Sequence, residues 1–392
     1  MEFGLFIQGY VPSFRREGDP EAEHHAFADE LAAVQAADTA GFKYVWATEH
    51  HFLDEYSHLS ANDVVLGYLA HATERIHLGS GIFNPLPQVN HPAKVAERVA
   101  MLDHLTNGRF EFGSGRGAGS HEILGFLPDM ADLTGTREIW EDVIAELPKM
   151  WMQDTYEGYD GKFWSLPPRK VLPKPYVKPH PPMWYAAGNT SSYAMAAHKG
   201  LGVLGFSIGD LAQAEAALGT YKAAVRDAEP IGAFVNDNLM TCIAAYVGED
   251  GELVRRQAVQ ARPNYLVSNV FRYHDTFPHP EQVPTWPAQI PDATYDDLCA
   301  MGDAGALIIG DPDEALAQCR RWESIGVDQL TFGIGPAPLA QTLETIRLLG
   351  EHVIPKIDTD PVHRSTRFRD AAAPTGARSG VAAAAPARAG GH

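Results

Sequence analysis

The sequence predicts an α/β fold: a single (β/α)8 TIM barrel with long insertions after the fourth and seventh strands. Three observations predict it. Short apolar runs alternate with helical periodicities along most of the chain. Eight such runs can be counted, and the segments that follow several of them carry polar and glycine-rich motifs, where barrel enzymes build their sites. An open doubly wound sheet is the competing arrangement, but it would usually hold fewer strands and need a topological switch point.

Taken in order, residues 3–7 read as the first strand. A helix over 26–40 follows, with Leu31, Val34 and Ala37 at helical spacing and Gly41 as its C-terminal cap. Residues 42–47 are the second strand and 61–73 its helix; 76–82 are the third strand and 93–105 its helix; 109–113 are the fourth strand. This βα alternation argues for parallel strands joined by right-handed crossovers. After a helix over 138–152, residues 156–182 are rich in Pro, Gly, Tyr and Trp and read as an excursion rather than a domain linker. Residues 183–187 and 202–206 are the fifth and sixth strands, with helices over 190–199 and 211–228, and 239–247 is the seventh strand. A second Pro- and aromatic-rich excursion covers about 263–291. A helix over 312–325, the eighth strand at 329–332 and a last helix over 339–349 close the series. The barrel domain is assigned to residues 1–355. Residues 370–392 have almost no large apolar side chain and are expected to form a disordered tail.

Composition bounds the function. With 31 Lys and Arg against 50 Asp and Glu, the formal net charge of the 392 residues is -19. Nucleic acid is excluded as a general partner, because affinity for it depends on cations displacing counterions. Three scattered cysteines, Cys242, Cys299 and Cys319, fit neither a disulfide framework nor a Cys-based metal site and point to a reducing compartment. The N-terminus lacks a basic n-region, and no run of about 18 apolar residues exists. A soluble cytoplasmic protein with no membrane span is the expectation.

Three segments could carry chemistry. Glu49-His50-His51 follows the second strand directly. An imidazole there can give or take a proton with a neighbouring carboxylate setting its tautomer, or the pair can simply cap a strand at the surface. Adjacent residues of an extended segment face opposite ways and no HxH or HExxH accompanies them, so no metal site is assigned. Gly113-Ser114-Gly115-Arg116-Gly117-Ala118-Gly119 follows the fourth strand. Its glycines allow close backbone approach and Arg116 is a forked cation suited to phosphate, but neither a P-loop nor a dinucleotide fingerprint is present, and a structural turn is the other reading. Gly188-Asn189-Thr190-Ser191-Ser192-Tyr193 opens the helix after the fifth strand, either as a phosphate seat or as an ordinary N-cap. Arg137 is a further phosphate candidate or a surface charge. Gln8, Tyr10 and Asn84, with the two excursions, are expected to shape the mouth and the substrate pocket, and the excursions are long enough to act as lids.

In chain order, Glu49-His50-His51-Phe52, Gly79-Ser80-Gly81-Ile82, His91-Pro92, Leu102-Asp103, Asn107-Gly108-Arg109-Phe110, Gly113-Ser114-Gly115-Arg116-Gly117 and the 188–192 turn resemble the bacterial luciferase-like flavin-dependent monooxygenases. The match is dense from Met1 to about Gly205 and thinner afterwards, although Gly326-Val327-Asp328-Gln329 fits the closing unit. The resemblance implies reduced FMN at the barrel mouth, O2 as co-substrate and a flavin C4a-peroxide. It places His50 as the catalytic histidine, puts Arg116, Arg137, Asn189, Ser191 and Ser192 around the FMN phosphate, and sets the Gly81-Ile82 peptide, a cis bond in relatives, behind the flavin ring. Gly115 stands where the light-emitting members have a reactive cysteine, and Gly188 where they have a carboxylate; both departures argue against light emission.

The implied activity is oxygenation of a small organic substrate. The chain shows no NAD(P)H site, so a separate NAD(P)H:flavin reductase would supply the reduced flavin. A homodimer packed through the early helices is expected from the family. Two alternatives stand beside it: an F420-dependent oxidoreductase transferring hydride on the same barrel, and a non-catalytic flavin-binding protein.

Overall fold

The computed structural model describes residues 1–206, 211–276, 279–281, 283–333 and 337–377. They contain the strands β1 (Glu2–Ile7), β2 (Tyr44–Ala47), β3 (His77–Ser80), β4 (Phe110–Ser114), β5 (Tyr159–Asp160), β6 (Ser165–Leu166), β7 (Met183–Ala187), β8 (Gly202–Phe206), β9 (Leu239–Val247), β10 (Leu307–Gly310) and β11 (Gln329–Gly333). Eight of these form the parallel ring β1-β2-β3-β4-β7-β8-β9-β11, which closes where Glu2 to Phe6 of β1 lie opposite Gln329 to Gly333 of β11. The (β/α)8 barrel is therefore closed, and its eight staves are the eight apolar runs of the sequence.

Alternation along each strand divides the core in two. On β2, Val45 and Ala47 face the surrounding helices, whereas Tyr44 and Trp46 point into the barrel with Phe6, Ile82, Trp184, Leu204, Met240 and Cys242. The indoles of Trp46 and Trp184 meet edge to face at 5.0 Å. Gly79 on β3 leaves them room, since a Cβ there would lie 2.2 Å from the Trp46 ring. Outside, the helix Asn62–Ala72 buries Leu66 and Leu69, and Pro92–Leu105 buries Val95, Ala96, Val99 and Ala100. Each fully buried Leu or Val contributes about 1.5–3 kcal/mol relative to exposure.

Several local expectations are corrected. The third strand stops at Ser80, and the next peptide, Gly81-Ile82, is cis. The helix expected over 138–152 is two helices, Gly135–Ile144 and Leu147–Met152, the second with Pro148 in its first turn. Proline has no N–H to continue the preceding ladder. The second excursion opens with a helix, Pro263–Tyr273, which buries Tyr265, Val270, Phe271 and Tyr273. Further helices occupy Ser120–Phe126, Gly251–Gln260 and Tyr295–Ala304. β10 was not read from the sequence; it pairs with residues 244–247 of β9, beyond the stretch 239–242 that pairs with β8.

Past residue 355 the chain is still ordered. The helix Arg364–Ala371 lies across the N-terminal end of the barrel, where its buried Arg369 forks onto Asp103 at 3.0 and 2.8 Å. The expected tail beyond residue 377 lies outside the described residues. From the same helix, Ser365 Oγ donates to Glu111 at 2.5 Å and the Arg364 N–H donates to Glu2 at 3.0 Å. Trp184 Nε1 donates to the other Glu111 oxygen at 2.7 Å, His77 Nδ1 lies 2.8 Å from Glu111, and His363 stacks on His77 at 3.7 Å. This polar layer floors the barrel.

Burial pushes the Glu111 carboxyl up to about 8, against the hydrogen bonds from Ser365 and Trp184 and the charge of Arg369. The folded state thus keeps a proton that the unfolded chain releases near 4.5. The stability this contributes is present below that point and is lost as pH rises through about 8. His77 and His363 act with opposite sign. Burial, with the charges of Arg109, Arg369 and Lys43 on His77 and of His77 and Lys43 on His363, holds both well below 6.5, so their contribution is lost as pH falls below that value. Glu111→Gln should flatten the alkaline side of a chemical-denaturation stability profile and leave the acid side; an unchanged alkaline side would remove Glu111 from the account.

Candidate active site at the carboxyl ends of the strands

The segments after β2, β3, β4 and β7 converge on one cleft at the C-terminal mouth of the barrel. Its floor is the upper part of the inner core: Phe6, Ile82, Leu204, Met240 and Cys242. Burial pushes the Cys242 thiol up to about 12, so the cysteine is an unreactive part of that floor.

On one side stand Arg116, Asn189 and Ser192. Arg116 Nη1 donates to Thr136 Oγ1 at 2.7 Å, which fixes the guanidinium on the rim. Asn189 caps the helix Thr190–His198, its Oδ1 accepting from the Ser192 N–H at 3.0 Å and from both the Ser191 and Ser192 hydroxyls at 2.8 and 3.0 Å. Capping and phosphate binding are therefore compatible readings of this turn, because the cap itself holds the hydroxyls at the helix start. Ser191 is off the cleft wall, and Arg137, on the helix that carries Thr136, points to Glu141 at 3.6 Å.

The glycine motif divides by position. Gly115 and Gly117 line the cleft, Gly117 in the left-handed region at φ +88°. Gly113 and Gly119 instead allow backbone contact, since a Cβ would lie 2.0 Å from the Ser80 carbonyl at the first and 1.6 Å from the Tyr273 carbonyl at the second. Turn and ligand loop are thus both present in one motif.

On the other side stands His50. In the ring of staves β3 and β4 separate its strand, β2, from β7, which precedes Asn189. His50 Nδ1 lies 3.1 Å from Glu122 Oε2, and its ring packs 5.4 Å from Tyr56 and 5.4 Å from His274. His51 faces away, with Nε2 3.1 Å from Glu49 Oε1, whose carboxylate also takes the Asn90 amide at 3.2 Å. Burial would lower His51, but the hydrogen bond and charge of Glu49 and the charge of Glu122 raise it overall. Among the described residues, no group of three or more His, Cys, Asp or Glu could hold a metal ion.

Three expected pocket residues do not line the cleft. Gln8 is buried beneath the mouth, where its N–H donates to Glu30 at 3.0 Å and its carbonyl accepts from Ser57 at 2.6 Å. Tyr10 is buried toward Arg15, Asp29 and Glu30. Asn84 folds back on its own loop and accepts from the Leu86 N–H at 3.1 Å. Of the two excursions, the first packs on the outside, Tyr159 donating to Asp142 at 2.5 Å. The second reaches the cleft through His274 and Thr276. Sequence reasoning missed Glu122 and His274. The signal for Glu122 was its place eight residues past the fourth strand, in the first turn of a short helix.

A closed parallel barrel whose C-terminal mouth holds a cleft, cationic on one side and carrying a partly buried His–Glu pair on the other, defines a barrel enzyme. Residues 1–329 match the family model of luciferase-like monooxygenases, and the chain belongs to that family. The oxygenase component of the flavin-dependent trigonelline monooxygenase of Acinetobacter baylyi is 26% identical over 345 residues, 85% of this chain and 89% of that protein. Among solved structures, the monooxygenase RslO1 from Streptomyces bottropensis superimposes with a TM-score of 0.72 at 23% identity, covering 91% of this chain and 99% of that one. The oxygenating constituent of 3,6-diketocamphane monooxygenase from Pseudomonas putida, a type II Baeyer-Villiger enzyme in complex with FMN, gives 0.71 at 17% identity, with the same shares. These two likenesses concern the fold.

Proposed function

We propose that the protein is an FMNH2- and O2-dependent monooxygenase of a small organic substrate, with reduced flavin supplied by a separate NAD(P)H:flavin reductase. The observation that carries the reading is the pairing, in one cleft, of an anion seat at Arg116, Asn189 and Ser192 with His50 across the mouth. The residues fit FMN. One guanidinium beside a hydroxyl-bearing helix start suits a phosphate dianion, and the apolar floor of Ile82, Leu204 and Met240 suits a ring system. Bound reduced FMN supplies the two electrons with which O2 delivers one oxygen atom to the substrate and one to water. The chain's own part is to seat the phosphate, to shield the floor from water with the 263–276 segment, and to hold a proton acceptor at His50.

The test is anaerobic titration with reduced FMN and with reduced F420, then admission of oxygen in the presence of aldehydes, ketones, terpenoids and sulfonates. Oxygenated product with FMN alone supports the reading. Hydride transfer with F420 and no use of O2 would replace it, and tight flavin binding without substrate-dependent oxygen consumption would reduce the protein to a carrier. Arg116→Ala should weaken FMN binding about tenfold or more, the loss of a charge-assisted hydrogen bond worth about 1.5–3 kcal/mol, and an unchanged titration would take Arg116 out of the seat.

A homodimer is part of the same proposal. Val64 and Tyr68 on the helix Asn62–Ala72 and Met101 and Leu105 on Pro92–Leu105 are exposed apolar side chains on two helices that pack together. Tyr68→Glu should convert a dimer to a monomer in light scattering; a wild-type monomer would end this part of the proposal. Among the described residues no helix is long and apolar enough to cross a membrane, and the protein is placed in the cytoplasm on its cysteine usage.

A further inference from the structure

His50 and Glu122 come from different βα units, 72 residues apart, and are brought together by an interlocked pair of segments. The loop that carries His50 continues to Phe52, whose ring lies against Gly125, where a Cβ would be 2.3 Å from it, and packs on Phe126 at 5.0 Å. The helix Ser120–Phe126 that carries Glu122 is tied to that loop by His121 Nε2, 2.7 Å from the Phe52 carbonyl. Its N-terminal end is also tied to the second excursion. The Ser120 N–H donates to Asp275 at 2.7 Å, the Ser120 hydroxyl donates to the same carboxylate, and Thr276 Oγ1 donates to the Ala118 carbonyl at 2.6 Å. Both members of the pair are therefore held by contacts within the chain.

The titratable neighbours of His50 leave Glu122 as the group that orients it. Glu49 also lines the cleft, but its carboxylate is engaged with His51, the Asn90 amide and the Asn84 N–H. Tyr56 and His274 meet the imidazole through ring packing. Both have small exposures, and burial together with the His50 charge keeps His274 well below its ordinary range, so it stands beside His50 as a neutral ring. An ionised carboxylate is acceptor-only, so a neutral imidazole facing it must carry its proton on Nδ1. No described residue hydrogen-bonds His50 Nε2, and His50 lines the cleft.

We infer that Glu122 is the positioning residue of the site: by accepting the Nδ1 proton it presents the Nε2 lone pair of His50 to the cleft, so that the site selects substrates bearing an O–H or N–H at the reacting position over bare carbonyl compounds. The selection rests on the proposed role of His50 at the reacting centre; the orientation of the ring does not. With Nε2 as acceptor, the substrate's proton passes to Nε2 and the Nδ1 proton stays on the bridge to Glu122, so charge builds as an imidazolium beside a carboxylate. An Nε2–H ring would instead donate to a carbonyl oxygen.

The test needs neither cofactor nor substrate for its first part. The full chain is labelled with ring-15N histidine, the His50 signals among the 17 histidines are assigned by their loss in His50→Gln, and long-range 1H–15N spectra are recorded at mildly alkaline pH. The Nδ1–H form should exceed the other by about tenfold or more in the wild type, the ratio a charge-assisted hydrogen bond sustains. Glu122→Ala should bring the two forms to comparable populations, and Glu122→Gln should restore the bias because its amide oxygen still accepts. A wild-type ring protonated on Nε2 overturns the inference, as does a folded Glu122→Ala protein with an unchanged ring spectrum. In the second part, binding of 4-methylphenol and of its methyl ether to the FMN-loaded protein is compared. The phenol should bind about tenfold more tightly, with the advantage lost in Glu122→Ala and kept in Glu122→Gln. Equal affinities, or binding of neither, overturn the substrate selection. Failure of the wild type to bind FMN would strike the proposed function alone, since the ring spectra are read without it.

Discussion

His50→Ala lowers turnover of the substrate that the coupled screen identifies by on the order of 10²- to 10⁴-fold, the range for loss of a positioned acid–base group. FMN affinity should change little, because Arg116 follows β4 and Asn189 follows β7, separated from β2 by one and two intervening staves. The expected signature is a fall in kcat with retained flavin binding and continued consumption of reduced flavin that releases hydrogen peroxide instead of product. The substitution also leaves Glu122 buried without its 3.1 Å partner, so His50→Gln is the control that keeps a polar side chain there. Wild-type turnover in either variant would remove His50 from the chemistry.

The largest effect on stability is expected far from the cleft. Arg369→Ala removes one side of a bidentate pair in which Arg369 and Asp103 are 1% and 0% exposed. The same guanidinium donates to the carbonyls of Gly108 and Val177. Leaving Asp103 as an uncompensated buried carboxylate costs about 3–5 kcal/mol. For a chain of this size that corresponds to a fall in Tm of roughly 4–6 °C. Arg369→Met combined with Asp103→Leu should be less damaging than either change alone, since it removes both charges together. A Tm unchanged in Arg369→Ala would mean that the helix Arg364–Ala371 does not hold the floor.

The sequence carried the barrel because strand-by-strand alternation is a local signal. Phe42 to Ala47 shows it in one glance, and so do the other seven runs. It carried His50, Arg116, Asn189 and Ser192 for a related reason: each directly follows a stave or opens the next helix, so its place in the cleft is fixed within a few residues of chain. Glu122 and His274 were not legible, because their value comes from meeting His50 across 72 and more residues. Gln8, Tyr10 and Asn84 lie off the cleft for the opposite reason. They follow strands as mouth residues should, but Glu30, Ser57 and Glu49 capture their backbones and turn them inward or sideways. Arg369 sits in a polar, charged stretch that looks solvated, and only a partner 266 residues away makes it a core residue.

Among the described residues, the floor built by Ser365, Glu111, His363 and Arg369 closes the barrel below the cleft. Under the proposed function flavin, substrate and product would then share the mouth, and the occupant lying on the Ile82–Met240 floor would enter before the one above it and leave after it. Steady-state kinetics should therefore show a compulsory order of addition, and excess substrate should slow turnover by blocking the way in for the next reduced flavin.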